Sequence, residues 1–395
     1  MTVASGGGRS GPAETLRVFL ASWFFTSLYG MTLGEYVRLL RKHHFAVAPA
    51  YWPRAAFMAG AGVVNSVVGG HEKRVYGPGL ADVQIGPPLF ILGHWRSGTT
   101  HLHNLLATDP QFAYPNVYQV LNPHTFLTTE RYSKVLFASP RTRIMDDVPL
   151  NAEVPFEDEF ATCGTLHSPF LTWVFPRDAE QYHRYLTFRE VPESEVAEWM
   201  TALTLFYSKL TWKYGRPLLL KSPPHTARIK LLLDTFPDAR FVHIHRNPYV
   251  IFQSTQRQNQ VSLRTMGLQH FDVGRIADVV IERFKIMYDA FFEERSLIPE
   301  GRFHEVCFED LEKDPVGQVE RIYDNLGLSG FDAVQSPLRR YVDSIVSYRK
   351  NTYPELSSSL RRDVGRAWRR NFEEWGYAIG LTRWAGRRSR TRACT

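Results

Sequence analysis

A short apolar run, Leu89-Phe90-Ile91-Leu92, stops at Gly93-His94-Trp95-Arg96-Ser97-Gly98-Thr99-Thr100, after which apolar residues return at Leu102, Leu105 and Leu106. Four consecutive apolar residues closed by a glycine predict a buried strand, and the three-to-four spacing beyond predicts a helix. This order of strand, glycine loop and helix constrains the chain most, because it belongs to parallel sheets whose loops gather at one edge, where ligands bind. The pattern recurs. Leu218-Leu219-Leu220 predicts a second strand running into Lys221-Ser222-Pro223, then a helix from about Ala227 to Phe236. Arg240 to His245 predicts a third strand, whose exit carries Arg246-Asn247-Pro248, and helices over Ile276 to Phe292 and Pro315 to Leu326 flank a fourth candidate, Phe303 to Phe308.

The fold class expected is therefore α/β, a P-loop-like parallel sheet flanked by helices, with an N-terminal helical segment. Residues 1–84 form that segment, 85–380 the main domain and 381–395 a basic tail. With 395 residues, 44% of them hydrophobic, the chain can bury its own core. Cys163, Cys307 and Cys394 give neither a disulfide framework nor a metal pair, which favours a reducing compartment. The net charge of +7 does not imply nucleic acid, since residues 361–395 carry ten arginines against three carboxylates and the rest of the chain is balanced. Arg387, Arg388, Arg390 and Arg392 form a tail suited to solvent or to anionic lipid.

Two apolar stretches precede the first strand, Leu16 to Leu33 and Ala55 to Val68. Both are shorter than the about 20 apolar residues of a bilayer span. Arg38, Arg41, Lys42, His43 and His44 follow the first, a basic flank that suits a helix lying at an interface. Packing on the main domain, peripheral membrane contact and a membrane anchor all stay open.

Gly93 to Gly98 has the spacing of a phosphate loop, but Thr99 stands where a nucleoside triphosphatase carries its lysine. The cation is moved back to Arg96. Backbone N–H groups and the following helix terminus can still hold an anion, with Arg96, Ser97, Thr99 and Thr100 as side-chain donors and no obligatory metal. A plain structural turn is the alternative.

The string from Leu92 to Thr100 resembles the 5′-phosphosulfate loop of sulfotransferases that use 3′-phosphoadenosine 5′-phosphosulfate (PAPS). Phe236 to Pro248, followed by Ser254, is similar to the family's 3′-phosphate segment. The resemblance implies that Ser97, Gly98, Thr99, Thr100, Arg96, Arg246 and Ser254 bind the donor. Lys221-Ser222-Pro223-Pro224-His225 resembles a lysine loop of the tyrosylprotein and related bacterial branch, implying that Lys221 and Arg96 stabilise charge on the transferring group. More loosely, Arg362 to Trp368 resembles the segment that closes over the nucleotide, which implies contacts from Arg362 and Gly365. The likeness spans about residues 87–377.

The general base departs from the pattern. The stretch after the loop helix, Tyr114 to Gln119, holds no carboxylate, while the cluster Glu153, Glu157, Asp158 and Glu159 resembles the Pro-x-Glu-Asp-Glu stretch of one branch of bacterial sulfotransferases, which implies that the role lies there. Glu157 is the first choice and Glu159 the second, because a carboxyl among Phe156 and Phe160 has its pKa raised. A solvated acidic helix start is the alternative, and His94, His101, His124 and His167 are further candidates. The acceptor implied is a hydroxyl on a small molecule, glycan or lipid. Tyr182, Tyr185, Trp173, Trp199 and Trp212 lie where the family builds its acceptor cleft, or in the core. A P-loop kinase and a non-catalytic, nucleotide-binding membrane module are the rival readings. PAPS as co-substrate implies a cytoplasmic protein in a bacterium.

Overall fold

The apolar run that opens the sheet, Leu89–Leu92 (β1), lies between two neighbours and is buried at all four residues. That burial on both faces explains why it reads as a continuous apolar run and not as an alternation. The computed structural model describes residues 28–133, 141–142, 149–346 and 353–379. Its main sheet holds β1, β2 (Leu219–Lys221), β3 (Arg240–His245) and β4 (Phe303–Cys307) in the order β2-β1-β3-β4, all parallel. Register places Ile91 beside Lys221 and Val242, so the exits of β1, β2 and β3 meet at one edge. The predicted strands are found, with two shifts. β2 runs one residue later than expected, and Phe308 starts a helix, Phe308–Lys313.

Helices α1 (Leu33–Lys42), α2 (Trp52–Leu80), α3 (Thr99–Leu106), α4 (Glu193–Tyr214) and α5 (Ile229–Thr235) precede β3. Helices α6 (Pro248–Met266), α7 (Ile276–Glu294), α8 (Pro315–Leu326), α9 (Phe331–Ser344) and α10 (Ser358–Ala367) follow it. The helix expected from Ala227 begins later, because Pro223 and Pro224 hold a 3-10 turn up to Ala227.

The N-terminal helices share the main core. Leu28, Met31, Tyr36, Leu39 and Met58 are buried in the same apolar cluster as Phe90 and Leu92. Polar anchors fix α2: Asn65 donates to the carbonyls of Tyr29 at 2.7 Å and Met31 at 3.0 Å, and buried Glu72 pairs with Lys209 at 2.8 Å. The Ala55 to Val68 stretch is part of one 29-residue helix. Among the described residues no helix is long and apolar enough to cross a membrane. Residues 16–27 of the first apolar stretch and the whole basic tail lie outside the described residues.

The β1 to α3 turn leaves no room for side chains at its glycines. Gly98 has φ of 106°, and a Cβ there would stand 2.2 Å from the Phe308 ring; at Gly93, φ of 142°, it would stand 2.6 Å from the Ile244 carbonyl oxygen. Gly98→Ala is expected to destabilise the fold by about 1–3 kcal/mol through backbone strain, and more through overlap with Phe308. By contrast Gly60→Ala, in an open part of α2 with no atom within 4 Å, should add about 0.5–1 kcal/mol. Urea unfolding of both variants checks the contrast.

Candidate active site

The strand exits bring the predicted residues to one edge. Arg96 sits in the loop after β1 with φ of 71°, a left-handed conformation that costs a non-glycine residue about 1–3 kcal/mol and is typical of functional turns. Two contacts hold the loop from outside: the Gly93 N–H donates to Thr226 Oγ1 at 2.7 Å and the His94 N–H to the Tyr288 hydroxyl at 3.2 Å. Inside it, the Ser97 hydroxyl donates to the His94 carbonyl at 2.8 Å. The Ser97 side chain is thus a brace of the loop, and an anion would meet the backbone here. Thr99 and Thr100 open α3, where first-turn N–H groups lack intrahelical acceptors and point to the loop concavity.

The second predicted segment meets the first. Arg96 Nε donates to Ser254 Oγ at 2.8 Å, and Ser254 Oγ also lies 2.9 Å from the Tyr353 hydroxyl. Arg246 leaves β3 and stacks its guanidinium 4.1 Å from the Phe308 ring centre. No carboxylate among the described residues forms an ion pair with it. Burial pulls its pKa down, only partly offset by the more distant Glu309 and Glu312. Arg246 is poised for an anion.

The acidic cluster is zipped, residue by residue, onto the segment that leaves β2. Lys221 Nζ donates to Glu157 Oε1 at 2.8 Å. His225 Nε2 lies 2.9 Å from Asp158 Oδ2, which also accepts from the Tyr207 hydroxyl. Arg228 donates to both oxygens of Glu159, at 2.6 and 3.2 Å. Burial alone would raise the Asp158 carboxyl, but His225, Tyr207 and Ser222 outweigh it and bring it down to about 2.

This pairing corrects the second base candidate. Glu159 is fully buried and its oxygens are engaged by Arg228, which lies over the rings of Trp199 and Phe188, so it is a structural anchor without access to an acceptor. The alternative of a solvated acidic start is also excluded. Glu157 alone of the three keeps some exposure, 13% of its side chain. Arg362 is exposed, and it is Arg361 that stacks 4.1 Å from the Tyr249 ring; Gly365 packs so closely that a Cβ would stand 2.8 Å from the Tyr249 hydroxyl.

The other histidines have partners or are shielded. His124 lies 3.0 Å from Glu35 and His167 3.1 Å from Glu198, while burial pushes His94 down to about 3. Tyr182, Tyr185 and Trp199 belong to the core, Trp173 lines a cavity, and Trp212 is half exposed against Gly79. Three residues were missed by sequence reasoning: Arg228, Tyr353 and Arg361. The signal for Arg228 was available, since Lys221, His225 and Arg228 offer one cationic or imidazole partner for each of Glu157, Asp158 and Glu159.

The profile of a family described as "Sulfotransferase family" matches residues 87–333. The chain belongs to the sulfotransferase family. This sulfotransferase is 37% identical over 358 residues to proteins named omega-hydroxy-beta-dihydromenaquinone-9 sulfotransferase Stf3 from Mycobacterium bovis and Mycobacterium tuberculosis, covering 90% of this chain and 92% of each relative. Its fold is shared by the solved sulfotransferase STF9 of Mycobacterium avium, with TM-score 0.66, 20% identity and coverage of 85% of this chain and 88% of that one. STF1 of Mycobacterium tuberculosis H37Rv is similar at TM-score 0.56 and 19% identity, covering 83% and 86%.

Glu159→Gln in the sulfotransferase should cost about 3–5 kcal/mol, because Arg228 would keep its buried charge without a counter-ion. Arg38→Ala, which removes an exposed pair with Glu198, should cost about 0–1 kcal/mol. Thermal unfolding of the two variants distinguishes them.

Proposed function

We propose that this sulfotransferase takes the sulfuryl group of PAPS and transfers it to a hydroxyl on the apolar tail of a lipid. The observation that carries the donor reading is the bond from Arg96 to Ser254, which joins a phosphosulfate-type loop to a 3′-phosphate-type segment 158 residues away in the chain. Arg246, without a carboxylate partner among the described residues, supplies a planar fork suited to a terminal phosphate. Thr99, in place of a triphosphate lysine, disfavours the kinase. The lipid acceptor is supported by the relatives at 37% identity, whose name specifies a hydroxylated menaquinone derivative.

The Lys221–Glu157 pair suggests how the residues act. With donor bound, Lys221 Nζ turns from Glu157 towards the sulfuryl oxygens and the leaving bridging oxygen, where negative charge grows in the transition state. Glu157, released from its cation, accepts the acceptor hydroxyl's proton. As the acceptor oxygen bonds to sulfur, the bond from sulfur to the phosphate oxygen breaks in line, and the electron pair leaves on 3′,5′-bisphosphoadenosine. One pair thereby supplies both the cation and the base.

A labelled-PAPS assay with a hydroxyl-terminated isoprenoid quinone tests the reading. Wild type should form a sulfate ester, Lys221→Ala should lower turnover about 10²–10³-fold with little change in donor affinity, and Glu157→Gln should lose about 10²–10⁴-fold with an alkyl alcohol but much less with an acidic phenol. Equal small losses with both acceptors would remove Glu157 as base.

We further propose that α2 lies on the cytoplasmic membrane surface, where such an acceptor resides. Phe45, Trp52, Val63, Val64, Val67 and Val75 are exposed, and the exposed charges of α2, Lys73 and Arg74, are both basic. The protein should float with phosphatidylglycerol vesicles, and Val64→Asp with Val67→Asp should abolish flotation without lowering the melting temperature. Wild type remaining at the bottom of the gradient would remove this face from the account.

A further inference from the structure

Behind the phosphosulfate-type loop lies a cavity of about 360 Å³ that the proposed transfer does not use. It opens between the turns Pro169–Trp173 and Pro176–Asp178 on one side and helices α6 and α7 on the other, a volume in the range of small-molecule sites. Trp173, Leu263, Phe271, Ile276 and Val279 form apolar walls. At its inner end sits Arg283, only 5% exposed. A second, much smaller pocket, lined by His94, Trp95, Thr255 and Gln258, shares Trp173, Asn259 and Arg283 with it and reaches the loop.

Arg283 is the anomaly. Its Nη1 reaches Thr172 Oγ1 at a weak 3.4 Å, while Nε and Nη2 are buried with no hydrogen-bond partner among the described residues. The guanidinium lies 4.9 Å from the Trp95 ring centre and 5.9 Å from that of Trp173, which accommodate its flat face but leave its edge unsatisfied. Burial alone lowers its pKa to about 10, so it stays charged near neutrality, and no carboxylate offsets that cost. Of the four carboxylates on the lining, Glu180 pairs with Arg275 at 3.1 Å, Asp272 caps the Gly274 N–H at 2.8 Å, Glu282 lies 4.0 Å from His183 Nδ1, and Asp278 is exposed to solvent; none is paired with Arg283. His183 turns an unpartnered, buried Nε2 within the same lining. Water can fill such a space, but it brings no negative charge to a guanidinium whose desolvation costs several kcal/mol.

We propose that this cavity binds an amphipathic organic monoanion, its carboxylate seated on Nε and Nη2 of Arg283 and its apolar body against Trp173, Leu263 and Ile276. A carboxylate matches the fork of two parallel N–H groups and completes a pair that the described residues leave half made. His183 Nε2 gives a further contact. Because Trp95 packs on Arg283 while its neighbour Arg96 holds Ser254, the ligand stiffens the loop from the side opposite its own phosphate contacts. The site does not depend on the identity of the donor or of the sulfate acceptor.

Calorimetry with decanoate tests this, using the full chain with and without saturating 3′,5′-bisphosphoadenosine. One decanoate per chain should bind in both conditions, and decanol, the same chain without charge, should bind at least roughly tenfold more weakly, as expected for charged hydrogen bonds. Arg283→Gln should weaken decanoate by a similar factor. Val279→Trp, which fills the cavity and leaves Arg283 in place, should abolish decanoate binding while nucleotide binding persists. Displacement of decanoate by the nucleotide would put the anion in the donor site and overturn the proposal. So would equal affinity for decanol, no saturable binding, or unchanged decanoate affinity in a folded, nucleotide-binding Val279→Trp.

Discussion

Three consecutive carboxylates, Glu157, Asp158 and Glu159, each find one cationic or imidazole partner in the eight residues that leave β2, and the site depends on that zipper. The segment it clamps, Lys221 to Arg228, also supplies Thr226, whose hydroxyl accepts the Gly93 N–H and so fixes where the phosphate-type loop begins. Buried ion pairs add little net stability compared with apolar packing, but breaking one leaves a charge stranded. Their effect is therefore positional: a register error on either strand of the zipper strands three charges at once.

The zipper is graded from structure to chemistry. Arg228 and Glu159 are fully buried, saturated and enclosed by Trp199 and Phe188. Asp158 with His225 and Tyr207 is equally deep, and its low pKa marks a carboxylate held ionised by its neighbours. Only the outermost pair, Lys221 with Glu157, combines a buried ammonium with a partly exposed carboxylate, at the sheet edge beside β1. That is where a proton and a charge can be exchanged with a substrate.

Much of this was legible in the sequence because it rests on local patterns. The run Leu89 to Leu92, the glycines at 93 and 98, and the strand ending in Arg246 specify backbone geometry, and backbone geometry is what short motifs encode. Lys221 and Glu157 were each recognised as candidates, yet their pairing depends on bringing together positions 64 residues apart. Glu159 looked equivalent to Glu157 because a sequence does not reveal which of two neighbouring carboxylates faces inward. Arg283 was hidden for a related reason: arginines are usually exposed, so burial of one is a tertiary event without a local signal. Arg361 and Arg362 differ only in which face of α10 they occupy, and Tyr249 distinguishes them.

On the proposed function, the two distant segments joined by Arg96 and Ser254 hold, without a metal, a nucleotide carrying both a 5′- and a 3′-phosphate. Calorimetry of 3′,5′-bisphosphoadenosine against adenosine 5′-phosphate, in chelator, measures this directly in the wild type and in Arg246→Ala. The bisphosphate should bind far more tightly to the wild type, and Arg246→Ala should lose most of that preference, about 1.5–3 kcal/mol for each charged hydrogen bond removed. Equal affinity for the two nucleotides, a requirement for magnesium, or a preference untouched by Arg246→Ala would contradict the account.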